Sequence, residues 1–222
     1  MAKLRVSAVL FDLDGTLVDS APDLAGAANE MREVRGLSPM PYEMLRAFAG
    51  TGARGMLAAS LQAQPGQPGY ADLRDEFHDR YERRLLQETR LFDAILLLLD
   101  ALDRHRLPWG IVTNKALRFA QPLSQALGLL PRAAALVGGD STPHTKPHPA
   151  PLLEAARRLR LPPQSCVYVG DDLRDVHAGR AAGMGALAAG WGYLGVDTPI
   201  HEWGADSVLA EPGDLLTSLE LA

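Results

Sequence analysis

The chain has 222 residues, 47% of them apolar and 22% charged, and its 22 basic and 27 acidic side chains leave a formal net charge of -5. This is ordinary soluble globular composition for one to two domains, enough to bury a sizeable core, and it argues against disorder, collagen and a membrane partner. Lys and Arg are scattered rather than gathered in a stripe, which argues against a nucleic-acid partner, and the one cysteine, Cys166, fits a reducing, cytoplasmic setting.

Met1 to Arg5 leads into a short apolar run that meets Asp12 at once, so no secretory signal is expected. Val6 to Phe11 reads as a strand buried on both faces of a parallel sheet. It stops at Asp12-Leu13-Asp14-Gly15-Thr16. Ser20-Ala21-Pro22-Asp23 has the spacing of a helix capping box with Pro22 in the first turn, and predicts a helix that ends at Gly36. Three more helices follow, Pro41 to Ala49, Ala53 to Gln64 and Tyr70 to Leu86, divided by Gly50-Thr51-Gly52 and by Pro65-Gly66-Gln67-Pro68-Gly69. A Leu-rich helix spans Ala94 to Arg106, and its aliphatic stretch from Ala94 to Leu99 falls far short of the ~20 residues that cross a bilayer. Beyond it, strands are predicted at Gly110 to Thr113, near Ala135 to Val137, at Cys166 to Val169 and around Gly185 to Ala188. Helices lie between them, including Pro149 to Arg160 and Arg174 to Ala182. Such alternation means βαβ units and a parallel sheet. The fold class is therefore α/β, with a core of residues 1–18 and 88–222 and a helical insertion over 19–87.

In an open parallel sheet, ligands sit beyond the carboxyl ends of the strands. There the sequence places Asp12 and Asp14, then Thr113 and Asn114, then Lys146-Pro147, then Gly170-Asp171-Asp172 with Asp175. Asp12 and Asp14 are two apart, so in an extended segment their side chains share one side while Leu13 faces away. Several carboxylates at close range cannot all ionise without a cation among them, and oxygen-only ligands suit Mg²⁺. A Lys and a Thr in the same place suit a phosphoryl group. Taken one at a time, Asp-x-Asp-Gly, Thr-Asn and Lys-Pro are common turn chemistry. Asp-x-Asp-Gly-Thr is nonetheless an event on the order of 10⁻³ over a chain of this length, and its companions fall at successive strand ends.

As a set, the sequence resembles the haloacid dehalogenase superfamily of phosphatases over nearly its whole length. Phe11-Asp12-Leu13-Asp14-Gly15-Thr16-Leu17 is similar to the first motif of that family, Val112-Thr113-Asn114 to its second, Lys146-Pro147 to its third, and Gly170-Asp171-Asp172-Leu173-Arg174-Asp175 to its fourth. The resemblance implies a Rossmann-like core with an inserted helical cap. It implies that Asp12 is the nucleophile carrying an aspartyl-phosphate, that Asp14 is the general acid and base, and that Thr113 and Lys146 hold phosphoryl oxygens. It assigns Mg²⁺ to Asp12, Asp171 and the backbone carbonyl of Asp14, with Asp172 and Asp175 in support. An acid two residues after the nucleophile favours hydrolysis of a phosphomonoester over dehalogenation.

For the substrate, the loop Gly50-Thr51-Gly52-Ala53-Arg54 opens a helix, so Gly52, Arg54 and, from the core, Asn114 are expected to face the leaving group. That loop resembles one in phosphoglycolate phosphatases. Trp109-Gly110-Ile111-Val112-Thr113-Asn114-Lys115, Arg118-Phe119-Ala120 with Pro122, and Trp203-Gly204-Ala205-Asp206 are more similar to N-acetylmuramic acid 6-phosphate phosphatases. The expected partner is a small phosphate ester, handled by a monomer or homodimer. Two other readings stay open: a phosphomutase of the same superfamily, and, in a different class, a signalling receiver that keeps its phosphoaspartate. His144 and His148 lie among prolines that deny them a helix, and are expected to be structural. Cys166, Trp109, Trp191 and Trp203 are expected to pack in the core, and His177 to face solvent.

Overall fold

The computed structural model describes residues 6–195 and 198–221. The chain opens with β1 (Ala8–Phe11) and β2 (Val18–Asp19), then runs through α1 (Ala21–Glu33), α2 (Tyr42–Arg46), α3 (Gly52–Leu61) and α4 (Tyr70–Arg84) to β3 (Arg90–Leu91). The remainder is α5 (Ile95–Arg104), β4 (Trp109–Val112), α6 (Leu117–Ala126), β5 (Leu136–Val137), α7 (Ala150–Leu159), β6 (Cys166–Gly170), α8 (Leu173–Ala181), β7 (Gly185–Ala189), β8 (Ser207–Leu209) and α9 (Asp214–Ser218).

Six strands form one sheet in the order β5-β4-β1-β6-β7-β8, and every pairing in it is parallel. All four residues of β1 are fully buried, as a strand covered on both faces requires. The chain leaves β1 toward β4 and β5 on one side and returns to β6, β7 and β8 on the other. Its reversal therefore lies at β1, where ligands bind in sheets of this kind. Helices α1 to α4 pack on one another and hang from an antiparallel ribbon in which Val18 pairs with Leu91 and Asp19 with Arg90. Among the described residues no helix is long and apolar enough to cross a membrane.

The α/β class and the helical insertion agree with the sequence reading. The ribbon and β8 were not expected, and the helix read from Pro41 to Ala49 is instead α2 followed by a separate 3-10 turn at Ala49–Thr51. The capping box expected at Ser20 is absent, because both of its side chains have other partners. The Ser20 hydroxyl donates to Asp14 Oδ1 at 2.5 Å. Buried Asp23 accepts from the backbone N–H groups of Glu88 and Thr89 and from the Thr89 hydroxyl, at 2.7 to 3.0 Å. The Tyr193 hydroxyl, from the loop after β7, caps α1 in their place by accepting from Ser20 N at 2.8 Å and Ala21 N at 3.0 Å. A capping box does form at α8, between Asp172 and Asp175.

Candidate active site

Asp12 follows β1 directly, with its backbone N–H bonded to the Val169 carbonyl at 2.9 Å. A tight turn follows, in which Gly15 has φ +83° and a Cβ would lie 2.1 Å from Asp171 Oδ2. Glycine at this position lets Asp171, at the end of β6, come close to Asp12. Asp171 accepts from the Thr16 hydroxyl at 2.8 Å and from Tyr193 N at 2.9 Å. Asp12, Asp171 and Asp175 each offer an oxygen within 4.8 Å of the others.

Lys146 enters from the loop after β5 and is 4% exposed. Its Nζ lies 2.9 Å from Asp12 Oδ1 and 2.8 Å from Asp175 Oδ1, and donates to the Tyr168 hydroxyl at 2.8 Å. Tyr168 in turn donates to the Val112 carbonyl at 2.7 Å. Asn114 fixes the Lys146 backbone by two reciprocal hydrogen bonds, Nδ2 to Lys146 O at 3.0 Å and Lys146 N to Oδ1 at 2.9 Å. Thr113 is buried at the end of β4, where its hydroxyl accepts from Lys115 N at 3.1 Å. The Asp14 carboxylate stands apart from the three clustered acids, held by Ser20 and by Lys115 Nζ at 2.9 and 3.1 Å.

The electrostatics follow from burial. Desolvation pushes Asp12 up to about 7, with Lys146 opposing and the Asp175 and Asp14 charges adding to it. Asp171 is also raised well above the carboxylate range by burial, then by Asp12 and Asp175. Burial would lower Lys146, but the adjacent Asp12 and Asp175 outweigh it and keep its pKa above the usual lysine value. Three clustered carboxylates, two of them buried and Asp12 largely so, thus have too little positive charge beside a single ammonium. An all-oxygen donor set of this kind fits a hard divalent cation such as Mg²⁺.

A cavity of about 310 Å³ opens above this cluster, lined from the core by Asp12, Asp14, Thr113, Asn114 and Lys146, and from the insertion by Gly50 to Ala53 and α4. Gly52 lies on its wall. Arg54 is exposed and outside the lining. Asp172 faces Arg174, whose guanidinium bonds Asp172 Oδ2 at 2.7 Å and reaches the Gly50 carbonyl of the insertion at 2.8 Å. Cys166 is buried, His177 is exposed, and the His144 and His148 rings lie 4.2 Å apart at a tilt of 32°, outside the lining of the cavity.

The four sequence segments that meet here match one known family, the haloacid dehalogenase-like hydrolases, over residues 6–183. The chain belongs to that family. It is 41% identical to an N-acetylmuramic acid 6-phosphate phosphatase of Pseudomonas aeruginosa, covering 100% of this chain and 98% of that one. It is 46% identical to a phosphoglycolate phosphatase of Xanthomonas campestris over 94% of both. A crystal structure of a predicted phosphoglycolate phosphatase from Haemophilus somnus superimposes with a TM-score of 0.85 at 27% identity, over 97% of this chain and 99% of the other. This haloacid dehalogenase-like hydrolase is a phosphatase.

Sequence reasoning gave no role to Lys115, Tyr168 or Tyr193. A tyrosine inside the otherwise apolar strand at Cys166 to Val169 was a usable signal, since a buried hydroxyl must find partners. The contacts of Lys115 and Tyr193 depend on the tertiary fold and leave no local mark.

Proposed function

We propose that this phosphatase hydrolyses a small organic phosphomonoester through an aspartyl-phosphate on Asp12. The observation that carries the reading is the meeting of Asp12, Lys146 and Asp171, from three distant segments, beneath one cavity. Asp12 attacks phosphorus as the ester P–O bond breaks, and Asp14 gives its proton to the departing alkoxide oxygen. Asp14 then takes a proton from the water that attacks the acyl-phosphate, releasing inorganic phosphate and restoring Asp12. Thr113 and Lys146 hold phosphoryl oxygens. Asp12, Asp171 and the Asp14 backbone carbonyl would hold Mg²⁺, with Asp172 and Asp175 in support, and the ion supplies positive charge against the phosphoryl group. Residues 19–87 act as the cap, whose Gly52 lies beside the leaving group. A glycolate-sized leaving group is the primary reading, by similarity to the Xanthomonas relative. An amino-sugar phosphate is the second, favoured by the full-length match to the Pseudomonas relative.

Purified Asp12→Asn protein is expected to fold, to release no phosphate and to retain no radiolabel after quenching with a labelled ester. Normal turnover in that variant overturns the mechanism. A phosphoenzyme lasting far longer than one turnover of an ordinary phosphatase would instead mark a signalling receiver, and return of phosphate to the sugar a mutase. Steady-state kinetics on phosphoglycolate and on N-acetylmuramic acid 6-phosphate choose between the two substrates.

A further inference from the structure

Two polar side chains on the cavity wall take no part in the phosphoryl transfer just described. Lys115 follows β4 in the core and Tyr81 belongs to α4, so one comes from each side of the cleft. Both are buried: the Lys115 side chain is 8% exposed and Tyr81 is 2% exposed. The Lys115 ammonium sits 4.6 Å from the centroid of the Tyr81 ring. Its carboxylate partner is Asp14, and a primary ammonium has three N–H donors, so it can hold Asp14 and a second anion together. Among the described residues the buried Tyr81 hydroxyl has no hydrogen-bond partner of good geometry, with the Lys115 ammonium beside it. A buried hydroxyl is costly to leave in that state, and at a cavity wall its natural partner is a ligand. Burial raises the Tyr81 phenol to about 12, which keeps it a neutral donor. The wall around the pair is aromatic, formed by Phe77, His78 and Phe119. Burial, with help from Arg118, lowers the pKa of His78, so the imidazole adds no cation near neutral pH.

A charged donor and a neutral donor side by side in an aromatic wall suit a planar group with two acceptor oxygens. We propose that Lys115 and Tyr81 receive a carboxylate carried by the leaving group, which makes the enzyme selective for phosphorylated hydroxy acids over the phosphates of neutral alcohols. The proposal rests on the phosphatase reading and adds to it the recognised chemistry. A site built around such donors discriminates strongly against an analogue that lacks the matching group, because its own polar groups are then left unpaired.

The test compares kcat/KM within two matched pairs: phosphoglycolate against 2-hydroxyethyl phosphate, and N-acetylmuramic acid 6-phosphate against N-acetylglucosamine 6-phosphate. Wild-type enzyme is expected to prefer the carboxylated member of at least one pair by about 100-fold. Lys115→Met is expected to shrink that ratio by about 10- to 100-fold, beyond any loss common to both members from leaving Asp14 without its cation. Lys115→Arg keeps most of the ratio, and Tyr81→Phe lowers it by about 3- to 10-fold. The proposal is overturned if wild type shows no preference in either pair, or if Lys115→Met and Tyr81→Phe lower both members equally. Those wild-type and Tyr81→Phe measurements decide the matter even if Lys115→Met does not fold. Failure to release phosphate from any of the four esters or from p-nitrophenyl phosphate would instead remove the phosphatase reading, and this proposal with it.

Discussion

With its donors directed at Asp12, Asp175 and Tyr168, Lys146 is held at both ends, by those partners at the ammonium and by Asn114 at the backbone. The remaining imbalance lies on the acids. Asp12 has its folded-state pKa raised from 3.8 to about 7, chiefly by burial. A raised carboxylate contributes stability below its unfolded-state pKa, and that contribution is lost as pH climbs through the folded-state value. Metal-free protein should therefore weaken, through this group, between about pH 4 and pH 7, with Asp171 acting in the same direction. A divalent cation reverses the penalty by pairing with the ionised forms. The rise in Tm on adding millimolar Mg²⁺ is expected to be small near pH 5 and to grow toward pH 8. Melting curves across that range check it, and a gain independent of pH would contradict the cation site. The carboxylates themselves were legible in the sequence, because side chains after the last residue of a parallel strand must gather at one edge of the sheet. The division of labour among them was not. Asp14 and Asp12 are two residues apart, yet one serves Ser20 and Lys115 and the other Lys146, and that depends on lysines more than a hundred residues away.

At the scale of elements, Tyr193 joins the two halves of the structure. Its backbone N–H donates to Asp171, and its hydroxyl accepts from the first amides of α1 and donates to Asp19 Oδ1 at 3.1 Å. Tyr193→Phe removes the hydroxyl, strips the Ser20 amide of its partner and leaves the Ala21 amide and Asp19 only their weak mutual bond at 3.3 Å, at a cost of about 1–3 kcal/mol. For a chain of this size each kcal/mol lowers Tm by about 2–4 °C. Calorimetry on the variant tests this, and an unchanged Tm would show that water replaces the hydroxyl. Ser20 and Asp23 satisfy the local rule for a capping box by their spacing, while the structure uses both side chains for longer-range bonds. β2 and β3 have two residues each and β8 has three, too few for an alternation to be read. The long helices and buried strands were legible because their apolar runs span several turns or a full strand.

Across the whole molecule, polar links tie the insertion to the core beside the cavity: Arg174 to the Gly50 carbonyl, and Arg46 to the Gly192 carbonyl at 3.3 Å, with the Arg46 guanidinium 5.1 Å from the centre of the Tyr193 ring. The proposed mechanism needs water kept out during transfer and let in for hydrolysis, and on that reading these links would have to open and close. The double variant Arg46→Ala/Arg174→Ala is expected to show a larger radius of gyration in solution scattering than wild type. Superimposable profiles would mean that apolar contacts alone hold the insertion down.

The ribbon of Val18–Asp19 against Arg90–Leu91 brings the entry and exit of the insertion to adjacent points, and Asp23, in the first turn of α1, fastens the segment that leads back into β3. A segment tethered at neighbouring points can lengthen, shorten or be exchanged with little consequence for the scaffold, since closing a longer loop costs only slowly more entropy. The seam is a natural place for a modular graft: one reaction centre can be fitted with a different lid without re-registering a single strand of the sheet that carries it.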